Sequence, residues 1–224
     1  YRPGIYGQLN APSDAFVLKF KSDLSDLIFC TFYGSATGPG AQGFDDAFCV
    51  GVDKIDGAIT FGGWTYGIAP FNAGRDHVYH GNRDAFVAKI TGGGTNLVYG
   101  TNLGGNGSDD INDLAIVPFT GEVVVVGSTI SSDFPTTPGS VRPVLSPNFS
   151  NKGDGFVSKF SRTGDALVFS TFIGSDSSAD VCLGVALDKN NSPLVVGRTN
   201  PESFGMADVR PTRAFLYGRG YRAN

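Results

Sequence analysis

One seven-residue pattern recurs along this chain at a fixed interval: Asp14-Ala-Phe-Val-Leu-Lys-Phe20, Asp84-Ala-Phe-Val-Ala-Lys-Ile90 and Asp154-Gly-Phe-Val-Ser-Lys-Phe160. Successive copies start 70 positions apart both times (84 − 14 and 154 − 84). A second phrase keeps the same register: Leu27-Ile-Phe-Cys-Thr-Phe-Tyr-Gly34, Leu97-Val-Tyr-Gly-Thr-Asn-Leu-Gly104 and Leu167-Val-Phe-Ser-Thr-Phe-Ile-Gly174. A chain that repeats itself at such a period folds as copies of one supersecondary unit, because each unit buries its apolar face only against a neighbour.

Within each copy the apolar pattern reads as four short strands. The first alternates, with Phe16, Leu18 and Phe20 on one side and Ala15, Val17 and Lys19 on the other. A hairpin connection, Lys21-Ser-Asp-Leu-Ser-Asp26 in the first copy and Thr91-Gly-Gly-Gly-Thr-Asn96 in the second, leads into the second strand. After a link rich in Gly and Asp comes a third apolar segment: Ala47-Phe-Cys-Val-Gly-Val-Asp53, Leu114-Ala-Ile-Val117 and Cys182-Leu-Gly-Val-Ala-Leu-Asp188. It is the most uniformly apolar of the four and is expected to be the strand buried on both faces. The fourth, Ile59-Thr-Phe-Gly-Gly-Trp-Thr65, Val123-Val-Val-Val-Gly-Ser-Thr129 and Leu194-Val-Val-Gly-Arg-Thr199, ends each time in Gly-x-Thr.

Four short strands, hairpin links and one longer loop to the next copy describe a propeller blade. The expected fold is all-β, a β-propeller-like array of about three four-stranded antiparallel blades forming part of a larger ring or assembly. The chain reads as one array over residues 1–224: a loop from a preceding repeat (1–13), repeats at 14–83, 84–153 and 154–212, and the degenerate start of a fourth repeat (213–224), where Arg213-Ala-Phe-Leu-Tyr217 echoes the first strand. Three blades are fewer than the about four to eight that usually close a propeller, so the open edges are expected to meet the rest of a longer chain or copies of the chain itself, as a closed dimer or a filament.

Composition narrows the function classes. With 32 Gly, 18 Phe and only 17% charged residues, the chain suits tightly turned strands rather than disorder. A net charge of −4 and a pI near 5.0 argue against nucleic acid as a partner. No run of about 18 apolar residues is present, so no membrane span is expected. Tyr1 opens the sequence without a signal peptide, as in a processed chain or a piece of a longer one. Cys30, Cys49 and Cys182 form no CxxC pair and do not recur with the repeat, which disfavours a zinc site or a disulfide framework. Cys30 stands where the other copies have Gly100 and Ser170 and reads as a small buried strand residue.

The strand phrases, the Gly-Ser-Asp-Asp link at 107–110, Val124-Val-Val-Gly-Ser-Thr129 and Ser131-Ser-Asp-Phe-Pro-Thr-Thr-Pro-Gly139 together resemble the seven-bladed β-propeller repeat family often called SBBP. The middle copy is the nearest match, and the resemblance covers about residues 1–217. It implies antiparallel four-stranded blades in secreted or surface-attached proteins, where the repeats are structural or interaction modules. It carries over no catalytic residues and no cofactor. The repeats here are longer than is usual for such blades, the extra length lying in loops.

Several residue groups are candidate sites. Asp109, Asp110 and Asp113 lie in a Gly-rich link and suit calcium, the competing role being to cap tight turns. His77, His80 and Asp76 form a weak metal-ligand grouping without a visible third side. Trp64, Tyr66 and Phe71 suit a sugar platform or an interface anchor, against plain packing between blades. Asn106 and Asn148 open glycosylation sequons. Asp14, Asp84 and Asp154 are expected to fix strand entry by accepting backbone hydrogen bonds. No Walker loop, Gly-x-Ser-x-Gly elbow or His-Glu-x-x-His occurs, and the acids recur by structural position where catalytic groups usually occur once. The expected function is therefore non-catalytic: an extracellular or cell-surface structural or adhesive repeat protein. A glycan-binding, lectin-like propeller is the alternative, and a polysaccharide hydrolase or lyase the remote one.

Overall fold

A computed structural model describes residues 13–35, 43–68, 70–146, 153–174 and 179–199. Among them are twelve β-strands and no helix: β1 (Ala15–Phe20), β2 (Leu27–Tyr33), β3 (Asp45–Val52), β4 (Ile59–Thr65), β5 (Asp84–Ile90), β6 (Leu97–Leu103), β7 (Asp109–Ile116), β8 (Val123–Thr129), β9 (Asp154–Phe160), β10 (Leu167–Ile173), β11 (Val181–Leu187) and β12 (Pro193–Arg198). No helix long and apolar enough to cross a membrane is present among these residues.

Within the sheets all paired strands are antiparallel, and two isolated parallel bridges, Ser13 with Phe44 and Arg83 with Ser108, lie outside them. The twelve strands are not divided as three sheets of four. They form a two-stranded sheet β1-β2, four-stranded sheets β3-β4-β5-β6 and β7-β8-β9-β10, and a two-stranded sheet β11-β12. The hydrogen-bonded unit thus starts at the third strand of one sequence repeat and ends at the second strand of the next. This phase also corrects the reading of the third segment as doubly buried. In the order third-fourth-first-second the third strand is an edge, and β3 leaves Phe48, Val50 and Val52 exposed. The buried strands are the central ones: every residue of β5 is buried, and in β8 all but Ser128.

The sheets stack face on face. The first, β1-β2, lies against the second through Tyr33, whose ring meets Phe61 edge-on at 5.3 Å and Phe86 at 5.1 Å. In the next interface β7 crosses β3, β4 and β5, and Val87, Tyr99, Ile111, Leu114, Val125 and Phe156 are among the residues that close the core. In the last, β11 lies on β7, β8 and β9 around Val124, Val126, Val157 and Cys182. Each phenylalanine fully removed from water, such as Phe86 or Phe156, contributes about 1.5–3 kcal/mol.

Bulges recur with the repeat. In the second strand of each copy one residue is skipped in the pairing, Ile28, Val98 and Val168, and all three are exposed. In the third strand the skipped residues are Phe48, Asn112 and Leu183. The Gly-x-Thr ending follows from this second bulge: a Cβ at Gly63 or Gly127 would collide with the carbonyl of Asp46 or Asp110 on the bulged strand. The threonine two positions on folds a turn, since Thr65 Oγ1 accepts from Gly67 N at 3.0 Å and Thr129 Oγ1 from Ser131 N at 2.9 Å.

Candidate functional site

Two features are built repeatedly by the fold: an acidic junction at the end of each second strand, and a lysine set against an acid in the turn between third and fourth strands. The junction joins the first strand of one sheet to the third strand of the next. At its best-described copy, Asp84 Oδ2 accepts from His80 N at 2.8 Å, and Asp109 Oδ2 accepts from Gly105 N at 3.0 Å and Ser131 Oγ at 2.7 Å. Between them lies Gly104, where a Cβ would come 2.7 Å from Asp109 Oδ2 and 3.0 Å from Asp84 Oδ1. The same construction recurs. Asp45 Oδ2 accepts from Ser35 N at 2.8 Å beside Gly34, and Asp154 Oδ2 accepts from Ser146 N at 2.8 Å and Ser146 Oγ at 2.7 Å beside Gly174.

These carboxyls are held above their ordinary range. Burial pushes Asp84 and Asp109 up to about 6, and the mutual repulsion of Asp84 and Asp109 adds to the shift on Asp84 while hydrogen bonds oppose it on both. Burial raises Asp14, Asp45 and Asp154 as well. Oδ1 of Asp14, Asp84, Asp109 and Asp154 is buried with no hydrogen-bond partner among the described residues, which favours the protonated form. The junction therefore ties strand entry to the next sheet, and its carboxyls take up protons more readily than exposed ones do.

The lysine of the seven-residue pattern has an equally regular partner. Lys89 Nζ reaches Asp53 Oδ2 at 2.8 Å, both side chains almost wholly buried, and Lys159 Nζ reaches Glu122 Oε2 at 2.7 Å. Asp53 stands in the β3–β4 turn and Glu122 in the β7–β8 turn. Burial works against the Asp53 carboxylate, but the Lys89 hydrogen bond, the Ile55 N–H and the charges of Lys89 and Arg162 outweigh it and hold it below the usual range. Arg162, from the β9–β10 turn, lies 3.5 Å from Asp53 and 2.7 Å from Asp56, joining the two four-stranded sheets.

The other sequence candidates fall in separate places. Asp109 belongs to the junction. Asp110 pairs with Arg83 at 2.6 Å, and Asp113 accepts from Val185 N at 2.8 Å, so the three do not gather round one point. Calcium takes about six to eight oxygens; among the described residues no group of three or more His, Cys, Asp or Glu side chains is placed to hold a metal ion. His80 Nε2 lies 3.0 Å from Asp76 Oδ2, whereas His77 stacks on Phe71 with ring centroids 4.0 Å apart. Trp64 and Tyr66 do meet, edge to face at 5.3 Å, but Arg83 lies over the Trp64 ring at 5.0 Å, so that face is taken; Phe71 stands apart with His77. Asn106 is exposed, its amide bound to Ser132 Oγ at 3.2 Å. Asn148 lies outside the described residues. Cys30 is half-buried, Cys49 and Cys182 are buried, and all three are free thiols. Neither models of known protein families nor curated proteins give a match to this chain.

The edges complete the site. The loops between repeats cover the outer strands: Gly100 N donates to Ala73 O and Asn102 N to Asp76 O along β6, and Phe172 N to Arg142 O along β10. No described strand lies beside β1 where β5 and β9 have β4 and β8, nor beside β12 where β4 and β8 have β5 and β9. A groove of about 540 Å³ opens between β1 and β3, lined by Asp14, Phe16, Leu18, Phe48, Val50 and Phe61.

Proposed function

We propose that the sheets are blades of a β-propeller-like array and that the protein is a non-catalytic structural or adhesive module of an extracellular or cell-surface assembly, joining to copies of itself or to the rest of a longer chain. The observation that carries this is the exposure of core positions at both ends of the stack. Phe16 is 60% exposed where its counterparts Phe86 and Phe156 are 0%, and Val196 is 67% exposed where Val126 is 0%. Apolar strand edges of this kind are templates for pairing and are rarely left open. The resemblance of the strand phrases to SBBP repeats supports the same reading, as does the recurrence of the acids at one structural position in every repeat.

The test is the mass and shape of the particle in solution, by light scattering with electron microscopy. Particles of twice the 23.5 kDa chain, or longer ones with a regular period, are expected. A folded monomer at all concentrations would sink the self-associating form of this reading.

A further inference from the structure

Resting on that reading, we propose that the partner at the open edges is a second copy of this chain, whose β12 pairs antiparallel with β1 and completes a four-stranded sheet β11-β12-β1-β2 shared between the two. The two half-sheets are complementary in kind: β11 and β12 are third and fourth strands, β1 and β2 first and second. Both complete sheets show how such halves join. Val126 stands opposite Val157, Gly127 opposite Phe156 and Val124 opposite Lys159, and β4 and β5 keep the same register. Carried over, Gly197 of one copy faces Phe16 of the other, Val196 faces Val17, Val195 faces Leu18 and Leu194 faces Lys19. Pro193 falls at the end of this register, where a missing N–H costs one rung of the ladder.

The groove sits where the incoming strand must lie. In the complete interface β7 crosses the third, fourth and first strands of the sheet beneath it. Its counterpart β3 has only the first strand, β1, beneath it, and the space beside β1 is the groove lined by Phe16, Leu18, Phe48 and Val50.

Charge selects the partner. The pattern lysine meets an acid of the third-to-fourth turn in both complete sheets, Lys89 with Asp53 and Lys159 with Glu122. Lys19 has no such turn in its own sheet and donates instead to Gly92 O at 3.0 Å. Among the described residues, the one such turn whose sheet lacks a lysine is β11–β12, and it carries Asp188. This residue corresponds to Asp53: Asn190 N donates to Asp188 Oδ1 at 2.8 Å, as Ile55 N does to Asp53 Oδ1 at 2.9 Å. Lys19 of one copy and Asp188 of the other thus form the missing pair.

The experiment is a reciprocal charge swap in the whole chain. Lys19→Glu alone and Asp188→Lys alone, each checked for its β-sheet signature by circular dichroism, should raise the concentration needed for assembly by roughly tenfold or more, because like charges then meet at the junction. Mixed together the two variants should recover assembly, since both contacts between unlike chains are of opposite sign: the introduced glutamate meets the introduced lysine, and the unchanged Asp188 meets the unchanged Lys19. If the wild-type chain assembles and both variants assemble equally well, the β12–β1 contact is wrong while the self-associating reading stands. A wild-type chain that stays monomeric, whether another segment of the same chain fills the edge or nothing does, overturns both.

Discussion

Asp84 and Asp109 have no solvent exposure, and their ionisation links folding to pH. Burial holds both near 6, against an ordinary value of 3.8. Below the ordinary value the folded and unfolded chains both carry the protons, and nothing is gained or lost. Between the two values the folded chain keeps protons that the unfolded chain gives up, so stability falls as pH rises through this window, and the full penalty stands above about 6. At about 1.4 kcal/mol per unit, the penalty is on the order of 2–3 kcal/mol for each carboxyl. Asp53 and Glu122, held low by their lysines, lose their contribution only below the ordinary carboxylate range and leave this window alone. The urea midpoint is therefore expected to be higher at pH 4.5 than at pH 7.5, with Asp109→Asn flattening the slope; a midpoint that climbs over that interval would contradict the account.

In the hairpins that join first and second strands, one position turns left-handed in every copy: φ is 59° at Leu24, 68° at Gly94 and 72° at Gly164. Gly94 and Gly164 are pressed against the rings of Phe29 and Tyr99, where a Cβ would stand 2.6 Å and 2.5 Å away, whereas Leu24 is exposed. A leucine there costs about 1 kcal/mol of backbone strain, so Leu24→Gly is expected to stabilise by up to about that amount in a urea titration, despite the looser unfolded chain. Loss of stability would mean that the Leu24 side chain holds the hairpin. Most elements of this kind were legible in the sequence, because alternation and turn residues act locally: the repeat period, the four strands per copy and the hairpins are all there to be read. The place of the third strand was not. Its apolar run suggests a centre strand, yet burial is decided by which strands bond to each other, and that lies between repeats. The partners of the acidic link were not legible either. Asp109, Asp110 and Asp113 are near in sequence, but strand geometry and the bulge at Asn112 send each to a different partner. The companion of Asp109 is Asp84, earlier in the chain by a whole strand pair; its place at strand entry was legible, its nearness to Asp109 was not.

For the molecule as a whole, stability is layered. The two complete sheets have neighbours on both faces, whereas β1-β2 and β11-β12 are covered on one face among the described residues. Amide hydrogen exchange on dilute protein should follow this gradient, slowest in β5 and β8 and fastest in β1 and β12, with the end strands gaining protection as concentration rises. Uniform protection at every concentration would mean that the ends are already covered within one chain. The phase of the sheets has a further consequence for how such a chain can grow. Because the repeat is cut through the middle of a sheet, inserting or deleting one whole 70-residue period leaves the same half-sheets, β1-β2 and β11-β12 in kind, at the two ends of the described stack. Duplication can lengthen the stack without a single compensating change at its two end sheets.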